Sequence, residues 1–357
     1  MHQKILYILS VLERGGTEQQ LYNLIKHMKP NATLVSIGGS GPWEQEFRDL
    51  GIEVIPLKRR GKADVSRIFQ LVRIIRSGDY DIVHMFIDNV PGIYGHLAVL
   101  IAGHPRFITG ERASILAQPA WYRSFKRLFL RRVRCITVNS QKSFNLLVDL
   151  KLAKPAQVRY IPNGIDLDRF IPKTQESNPL TIGMVGSLRA VKNPTLFVHA
   201  AARILQQQPD VRFMHIGGGE MLTEMRALAH HLHIDHAVTF CGLRTDVPDL
   251  LRQFDIFVLT SNSEGTPNAI MEAMAVGLPV VATDVGDVGK FIIPGENGYI
   301  VPTGDLDHLV ERIEALIVNA DLRRRMGQVS RERIQAYGLS QMAVQYEAVY
   351  AQVMREA

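Results

Sequence analysis

The sequence predicts an α/β protein built from two doubly wound, Rossmann-like domains. Short, almost wholly apolar segments of strand length alternate with helical segments, which is typical of parallel sheets covered by helices on both faces. This alternation occurs in two series, and 357 residues are enough for about two domains with proper cores. A polar stretch that contains prolines, residues 162–179, separates the two series and is the best candidate for a linker.

The predicted elements follow one another in a regular order. Predicted strands of the first series cover residues 4–11, 32–37, 53–57, 81–86, 106–109, 135–138 and 158–161. Predicted helices between them cover residues 18–28, 43–50, 66–77, 94–103, 120–132 and 141–150. Predicted strands of the second series cover residues 180–185, 211–216, 238–241, 256–259, 279–283 and 299–301. We therefore expect an N-terminal domain over residues 1–165 and a C-terminal domain over residues 166–339.

Composition is that of a globular protein, with 46% hydrophobic and 21% charged residues. Cys135 and Cys241 lie far apart in apolar segments, which suits a reducing cytoplasm and argues against a disulfide framework or a zinc site. The apolar segment at residues 4–11 is too short to span a membrane and has no cleavage signature, so we interpret it as a first strand. The net charge of +6 favours an acidic partner.

The stretch that carries most of the chemistry is 263–274, Ser-Glu-Gly-Thr-Pro-Asn-Ala-Ile-Met-Glu-Ala-Met. It follows the strand predicted at 256–259 and begins a helix. Gly265 or Thr266 can cap this helix, and Pro267 suits its first position, where the missing N–H costs nothing.

Two carboxylates bracket the start of this helix. The free amides of Asn268 and Ala269 would lie at its positive end, which favours phosphate. Glu264 lies in the loop before that end, and Glu272 lies on the helix, roughly 7–8 Å of rise further on. A nucleotide-sugar has the matching layout, with sugar hydroxyls at one end, a ribose at the other and a diphosphate between them.

Glycine-rich turns follow the first strand of each series. Gly15 and Gly16 allow a close approach of backbone to a ligand, although an ordinary turn between a strand and a helix explains them equally well. The corresponding turn of the second series, residues 185–194, carries Arg189 and Lys192 near the start of a helix. Cations are unfavourable there unless an anion binds between them, so Lys192 is a candidate phosphate ligand.

Taken together, these residues resemble the retaining GT-B glycosyltransferases of the GT4 type, over nearly the whole chain. The strongest element is the Glu-x7-Glu pair of Glu264 and Glu272. Supporting matches are residues 15–18, 162–166, 186–188 with Lys192, and 242–247. The resemblance implies two domains that face each other across a cleft, with a C-terminal helix, residues 340–357, that crosses back to the N-terminal domain.

The resemblance also assigns roles to the donor site. Glu272 would bind the ribose, Glu264 the hydroxyls of the donor sugar, and Lys192 would neutralise the diphosphate. The remaining expected donor contacts, through backbone amides or the surroundings of the base, are Gly15, Gly16, Arg189, Gly242, Leu243, Gly265, Thr266, Asn268 and Ala269.

The chain departs from the family pattern at two places. Many relatives have Arg where this chain has Ser187, and Arg189 is the candidate replacement. Many also have a His after the fifth strand, where this chain has Glu111, which either contacts the donor or acceptor or forms a surface ion pair with Arg112. His84, at the end of the strand predicted at 81–86, is either a further residue of the site or a hydrogen-bonded structural histidine.

We therefore expect a retaining transferase that moves a sugar from a nucleotide-sugar, with UDP favoured over GDP. The acceptor would be a hydroxyl of a glycan or of a lipid-linked sugar, in cell-surface polysaccharide or glycolipid synthesis. An inverting glycosidase would place two carboxylates roughly 6.5–9.5 Å apart, but the phosphate-ready helix end and Lys192 argue against it. A catalytically idle binding protein and a nucleotide-sugar epimerase remain alternatives.

No metal is expected. Asp166 with Asp168, and Asp305 with Asp307, have the acid-x-acid form that binds Mn²⁺ or Mg²⁺ in other transferases. Both pairs are interpreted as helix starts, with Asp305 as an N-cap. The positive helix end and Lys192 can carry the charge of the leaving diphosphate without a metal.

A basic segment, residues 121–134, has six cations and no acid. Its apolar residues recur at helical spacing, namely Trp121, Phe125, Leu128, Phe129 and Val133. Either the helix packs this face on the core and exposes a basic face, or it adsorbs to the anionic inner surface of the cytoplasmic membrane. Without a recognition motif, nucleic acid is not an expected partner.

Overall fold

The computed structural model describes residues 3–58, 61, 64–112, 115–116 and 118–356. The chain divides into two compact units. Unit 1 comprises Met1–Gly164 and Leu339–Ala357, and unit 2 comprises Ile165–Gly338. The boundaries expected from the sequence, 165/166 and 339/340, each lie one residue beyond the observed ones.

Unit 1 contains a sheet of seven parallel strands. Its strands are β1 (Lys4–Leu9), β2 (Asn31–Ser36), β3 (Glu53–Pro56), β4 (Ile82–Met85), β5 (Phe107–Glu111), β6 (Cys135–Val138) and β7 (Val158–Tyr160). Its first helices are α1 (Gly16–Met28), α2 (Glu44–Asp49), α3 (Ser66–Ser77), α4 (Gly92–Ala102), α5 (Ala120–Phe129) and α6 (Gln141–Asp149). The strand order is β3-β2-β1-β4-β5-β6-β7, so it reverses between β1 and β4.

Unit 2 contains a sheet of six parallel strands. Its strands are β8 (Thr181–Val185), β9 (Arg212–Ile216), β10 (Val238–Phe240), β11 (Ile256–Leu259), β12 (Val280–Thr283) and β13 (Gly298–Val301). Its helices are α7 (Pro194–Gln207), α8 (Leu222–His231), α9 (Val247–Leu251), α10 (Asn268–Val276), α11 (Val288–Phe291), α12 (Leu306–Ile317) and α13 (Ala320–Ile334). The order β10-β9-β8-β11-β12-β13 reverses between β8 and β11.

These two sheets confirm the predicted fold class. Every residue of β4, β11 and β12 is buried. Helices cover both faces of each sheet, and the strands are apolar along almost their whole length for that reason. Each unit has two hydrophobic clusters, one on each face of its sheet.

The last helix, α14 (Leu339–Arg355), belongs to unit 1. Tyr346 and Tyr350 on this helix are fully buried. The hydroxyl of Tyr350 lies 3.1 Å from the hydroxyl of Tyr7 on β1, and Arg112 donates a 2.5 Å hydrogen bond to the hydroxyl of Tyr346. Buried polar contacts as well as apolar packing therefore hold α14 on this unit.

Two helix starts differ from expectation. Helix α10 begins at Asn268 rather than at Pro267, because the ψ of 98° at Pro267 is extended and its carbonyl accepts from the amide of Ile270 at 3.1 Å. Asp166 starts a single turn rather than a helix, and its carboxylate accepts from the amide of Arg169 at 3.2 Å. Asp305 caps α12 as expected, by accepting from the amide of His308 at 3.0 Å.

Candidate active site

The expected donor residues of unit 2 gather at the carboxyl ends of its strands, where the strand order reverses. The loop after β8, residues 186–193, lies beside the loop after β11, residues 260–267. Ligands of doubly wound sheets bind at such switch points, because the two loops diverge there and leave a crevice.

Hydrogen bonds tie these two loops together. The hydroxyl of Thr260 donates to the carbonyl oxygens of Lys192 and Asn193, at 3.0 and 2.9 Å. The amide of Asn262 donates to the carbonyl of Val191 at 2.8 Å. The backbone that carries Lys192 is therefore fixed against the backbone that carries Glu264.

The side chains of Lys192 and Glu264 form an ion pair across the switch point. Lys192 Nζ lies 2.6 Å from Glu264 Oε1, and the side chains are 25% and 10% exposed. The hydroxyl of Ser261 donates to the same oxygen at 2.6 Å. Because Oε1 takes both contacts, Oε2 stays available to a ligand, and Lys192 keeps two further N–H groups.

A loop after β12 holds the first part of the Glu264 loop in place. The amide of Asp287 donates to the carbonyl of Gly265 at 2.9 Å. A Cβ on Gly286, which has a φ of +54°, would lie 2.3 Å from that same oxygen, so only glycine fits there. Sequence reasoning missed Ser261, Gly286 and Asp287, although the Asp-Val-Gly-Asp run directly after a buried strand is a signal of the same type as the glycine turns.

Glu272 lies on the second turn of α10 and is half-buried. Burial raises the pKa of its carboxyl to about 7, partly offset by the positive charge of Arg169. The amides of Asn268 and Ala269 are at the N-terminus of the same helix, where the helix dipole is positive.

Glycine turns form the rest of the strand-end surface. A Cβ on Gly217, with a φ of +139°, would lie 1.9 Å from the carbonyl oxygen of Gly186, so the turns after β8 and β9 touch through their backbones. The amide of Gly217 donates to the carbonyl of Gly242 at 2.9 Å. The next residue, Leu243, is 74% exposed.

Arg189 is exposed, and its side chain makes no hydrogen bond or ion pair with the described residues. Its amide bonds to the carbonyl of Ser187 at 2.9 Å, so both residues belong to one tight turn. Among the described residues, the guanidinium of Arg189 is therefore not bound to another side chain. That Arg189 takes the place of the Arg that many relatives have at Ser187 stays a prediction.

Gly15 and Gly16 belong to unit 1. Gly15 is the N-cap of α1 with an extended backbone, and both glycines are exposed. The carbonyl of Gly15 accepts from the amide of Gln19 at 3.1 Å. Their contact with a donor stays a prediction.

Of the two alternatives for His84, its enclosed position in unit 1 fits that of a hydrogen-bonded structural histidine. Its side chain is 0% exposed, and Nδ1 lies 3.0 Å from the hydroxyl of Tyr350. Burial, and to a lesser extent Arg112, lowers the pKa of the imidazole to about 3. A ring enclosed by the sheet and α14 has no access to a substrate.

Glu111 is neither on the surface nor paired with Arg112. It is 1% exposed and forms an ion pair with Lys126 of α5, and its other oxygen accepts from Gln118 at 3.3 Å. Burial raises the pKa of Glu111 to about 7, and the nearby negative charge of Asp88 adds to this. The carboxylate is enclosed, so the structure does not bring it to a substrate.

Helix α5 buries only part of the expected apolar face. Phe125 and Phe129 are half-buried and Val133 is buried, whereas Trp121 and Leu128 are 56% and 54% exposed. The helix proper ends at Phe129 and continues as a 3-10 turn, Leu130–Arg132. Tyr122 and Lys126 are also buried, and Lys126 donates to the carbonyl of Asp88 at 3.0 Å.

Within the described part of the chain, no group of three or more His, Cys, Asp or Glu side chains could hold a metal ion. Within the same residues, no helix combines the length and hydropathy needed to cross a bilayer.

Comparisons with known proteins agree with this geometry. Residues 167–333 match the model of the glycosyl transferases group 1, and residues 14–169 match the model of glycosyltransferase family 4. The chain belongs to this GT-B family and is a glycosyltransferase.

Individual relatives place the chain within the family. It is 31% identical over 309 residues to the N-acetyl-alpha-D-glucosaminyl L-malate synthase of Bacillus anthracis, covering 82% of this chain and 80% of that protein. It is 28% identical to the UDP-Gal:alpha-D-GlcNAc-diphosphoundecaprenol alpha-1,3-galactosyltransferase of Escherichia coli, over 70% of each chain. The fold matches Anabaena HepE, solved in complex with UDP and glucose, with a TM-score of 0.85 at 20% identity over 98% of this chain and 100% of that one.

The raised pKa of Glu272 predicts a pH-dependent cost to stability. Because the folded pKa of about 7 exceeds the unfolded value of 4.5, stability falls as the pH rises between these two values, and the cost is complete above pH 7 and small near pH 5. We expect Glu272→Gln to raise the melting temperature of the ligand-free protein by a few degrees at pH 8 and hardly at all at pH 5. Thermal melting of both proteins at the two pH values measures this difference.

The matched control is Glu224→Gln, which changes an exposed carboxylate on α8. Equal shifts of the Glu272→Gln protein at both pH values would contradict the assignment of this cost to an ionised, buried carboxyl.

Proposed function

We propose that this protein transfers a sugar, with retention of configuration and without a metal, from a UDP-sugar to a hydroxyl of a lipid-linked acceptor at an anionic membrane surface. The observation that carries the donor half of this proposal is the Lys192–Glu264 ion pair, which lies at the switch point of unit 2 beside the N-terminus of α10.

The donor fits the groups at this switch point one by one. The amides of Asn268 and Ala269 and the free N–H groups of Lys192 would bind the diphosphate. Glu264 Oε2 would accept from hydroxyls of the sugar, and ionised Glu272 would accept from those of the ribose. The exposed side chain of Leu243 would cover one face of the base.

The chemistry follows from charge stabilisation. As the bond from the anomeric carbon to the diphosphate breaks, negative charge develops on the leaving oxygen, and preorganised amides together with Lys192 stabilise it. Glu264 is proposed as a ligand of the sugar, because its Oε1 is held by Lys192 and Ser261. The acceptor hydroxyl would attack from the same face that the diphosphate leaves, and a phosphate oxygen of the donor would take its proton.

Relatives support the choice of donor and acceptor. HepE was solved with UDP and glucose, and the Escherichia coli relative is named for transfer from UDP-Gal to a sugar on diphosphoundecaprenol. UDP carries a diphosphate, and the switch point of unit 2 offers cations and amides that can bind one.

A ligand panel tests the donor assignment. We expect UDP-sugars to raise the melting temperature more than GDP- or ADP-sugars, and we expect slow release of UDP from a UDP-sugar in the absence of acceptor. Glu264→Gln should bind UDP about 3- to 10-fold more tightly, since a negative charge next to the diphosphate is lost, yet bind the UDP-sugar no better than the unchanged protein. Calorimetric titration with UDP and with the UDP-sugar measures both affinities.

Arg226→Gln, an exposed cation of α8, is the control for surface charge. An equal effect of Glu264→Gln on UDP and UDP-sugar would remove Glu264 from the sugar site. Conversion of the UDP-sugar to its epimer without release of UDP would replace the transferase by an epimerase.

The membrane half of the proposal rests on the outward face of α5 and the turn after it. Trp121 and Leu128 are exposed there, as are Arg127, Arg131 and Arg132. Exposed aromatic and aliphatic side chains among arginines suit the interface of an anionic bilayer, where the rings insert and the cations bind headgroups. Residues 65–157 contain fourteen Lys and Arg but five Asp and Glu, so this segment of the chain carries a surplus of positive charge.

Charge reversal tests the membrane contact. We expect the combined Arg131→Glu, Arg132→Glu and Arg134→Glu protein to lose most of its binding to phosphatidylglycerol vesicles, because each basic residue near such a surface contributes about 1 kcal/mol. Sedimentation with phosphatidylglycerol and with phosphatidylcholine vesicles measures the loss.

A matched triple variant in unit 2 controls for net charge. Arg226, Arg324 and Arg325 are exposed, and their replacement by Glu changes the net charge by the same amount. Binding that survives reversal on α5, or that falls equally in both triple variants, would rule out α5 as the membrane contact.

A further inference from the structure

The side chain of Asn89 is polar and lies at the switch point of unit 1, outside the proposed donor site. Asn89 follows β4, and Ser10 follows β1, the neighbouring strand at which the order reverses. Asn89 is therefore in the position of unit 1 where a doubly wound sheet binds its ligand. Its side chain is half-buried, so it is accessible but restricted.

The side chain of Asn89 is held in one orientation. Its amide oxygen accepts a hydrogen bond from the hydroxyl of Ser10, which is itself 3% exposed. The amide nitrogen has no hydrogen-bond partner among the described residues. Two N–H groups are thus presented at the edge of the sheet by a side chain whose other end is fixed.

The backbone of Asn89 is fixed as well, by the buried cluster beneath it. The hydroxyl of Tyr122 donates to the carbonyl of Asn89 and to Asp88 Oδ1, the latter at 2.6 Å. Asp88 also contacts His96 at 3.2 Å and Lys126 at 3.5 Å. Although burial alone would raise the pKa of Asp88, these neighbours hold it well below its usual range, so the carboxylate stays ionised.

This arrangement explains why charged groups are enclosed at these strand ends. Asp88, Glu111 and Lys126 do not reach a substrate, but they anchor the turn that presents Asn89. Separation of these partners would leave a buried charge without compensation, at a large cost in free energy, so the cluster holds the turn in one position. Rigid support by buried neighbours is what a binding side chain needs.

We propose that Asn89 binds the acceptor, donating hydrogen bonds from its amide nitrogen to an oxygen of the sugar diphosphate, with Ser10 as its positioning residue. The proposal rests on the proposed function, since it supplies the contact for the lipid-linked acceptor named there. The chemical class recognised is an oxygen-rich, anionic glycosyl diphosphate.

Asn89→Asp is the most selective test. Aspartate has the same shape and keeps an oxygen for the hydroxyl of Ser10, but it replaces the free N–H groups by a second oxygen with negative charge. The probe is α-GlcNAc-diphosphate on an undecyl chain, with the UDP-sugar that stabilises the protein most. We expect the KM for this probe to rise about tenfold or more, while release of UDP from the UDP-sugar without acceptor stays unchanged.

Two further variants complete the experiment. Asn145→Asp makes the same change on α6, at an exposed amide away from the strand ends, and should leave the KM unchanged. Ser10→Ala removes the group that orients Asn89 and should raise the KM by a smaller factor, about threefold, so it also tests the proposal if Asn89→Asp melts at a lower temperature.

An unchanged KM in Asn89→Asp would overturn the proposal. Hydrolysis of the UDP-sugar by the unchanged protein without any transfer to the probe would overturn it as well, while leaving the donor half of the proposed function in place. Absence of both hydrolysis and transfer would instead withdraw the proposed function itself.

Discussion

The ion pair between Lys192 and Glu264 joins the two loops that diverge where the strand order of unit 2 reverses. Its geometry depends on backbone contacts beneath it, since Thr260 fixes the carbonyl of Lys192 and the loop at Gly286 fixes the carbonyl of Gly265. A cation for phosphate and a carboxylate for hydroxyls are thereby held 2.6 Å apart before any ligand arrives. Such preorganisation is what stabilisation of a departing diphosphate requires.

At the strand ends of unit 1, the acidic side chains are buried instead of being partly open to a ligand. Its acidic side chains Asp88 and Glu111 face inward onto Lys126, and the neutral amide of Asn89 lies above them. Unit 2 therefore offers a partly exposed cation and carboxylate, and unit 1 a fixed amide on a buried ionic support. This contrast suits a charged donor on unit 2 and a hydrogen-bonding acceptor on unit 1.

The fold, and the helix start that carries the proposed donor residues, could be predicted from the sequence because their signals are local. Buried parallel strands show as apolar runs, and Glu264 and Glu272 flank one helix start. The enclosed positions of His84 and Glu111 could not be predicted in this way. The hydroxyl that bonds His84, for example, is on Tyr350, 266 residues away. Similarly, the burial of Lys126 could not be read from apolar spacing, since its partner Glu111 lies on a different element.

The central claim is that Lys192 stabilises the leaving diphosphate while Glu264 binds the sugar. The most direct measurement is the rate of UDP release from the bound UDP-sugar in a single turnover, for Lys192→Ala beside Arg226→Ala as a surface control. The account predicts a rate lower by on the order of 10²-fold for Lys192→Ala at saturating donor, with the control unchanged. A rate close to that of the unchanged protein would contradict the account and remove Lys192 from the chemistry.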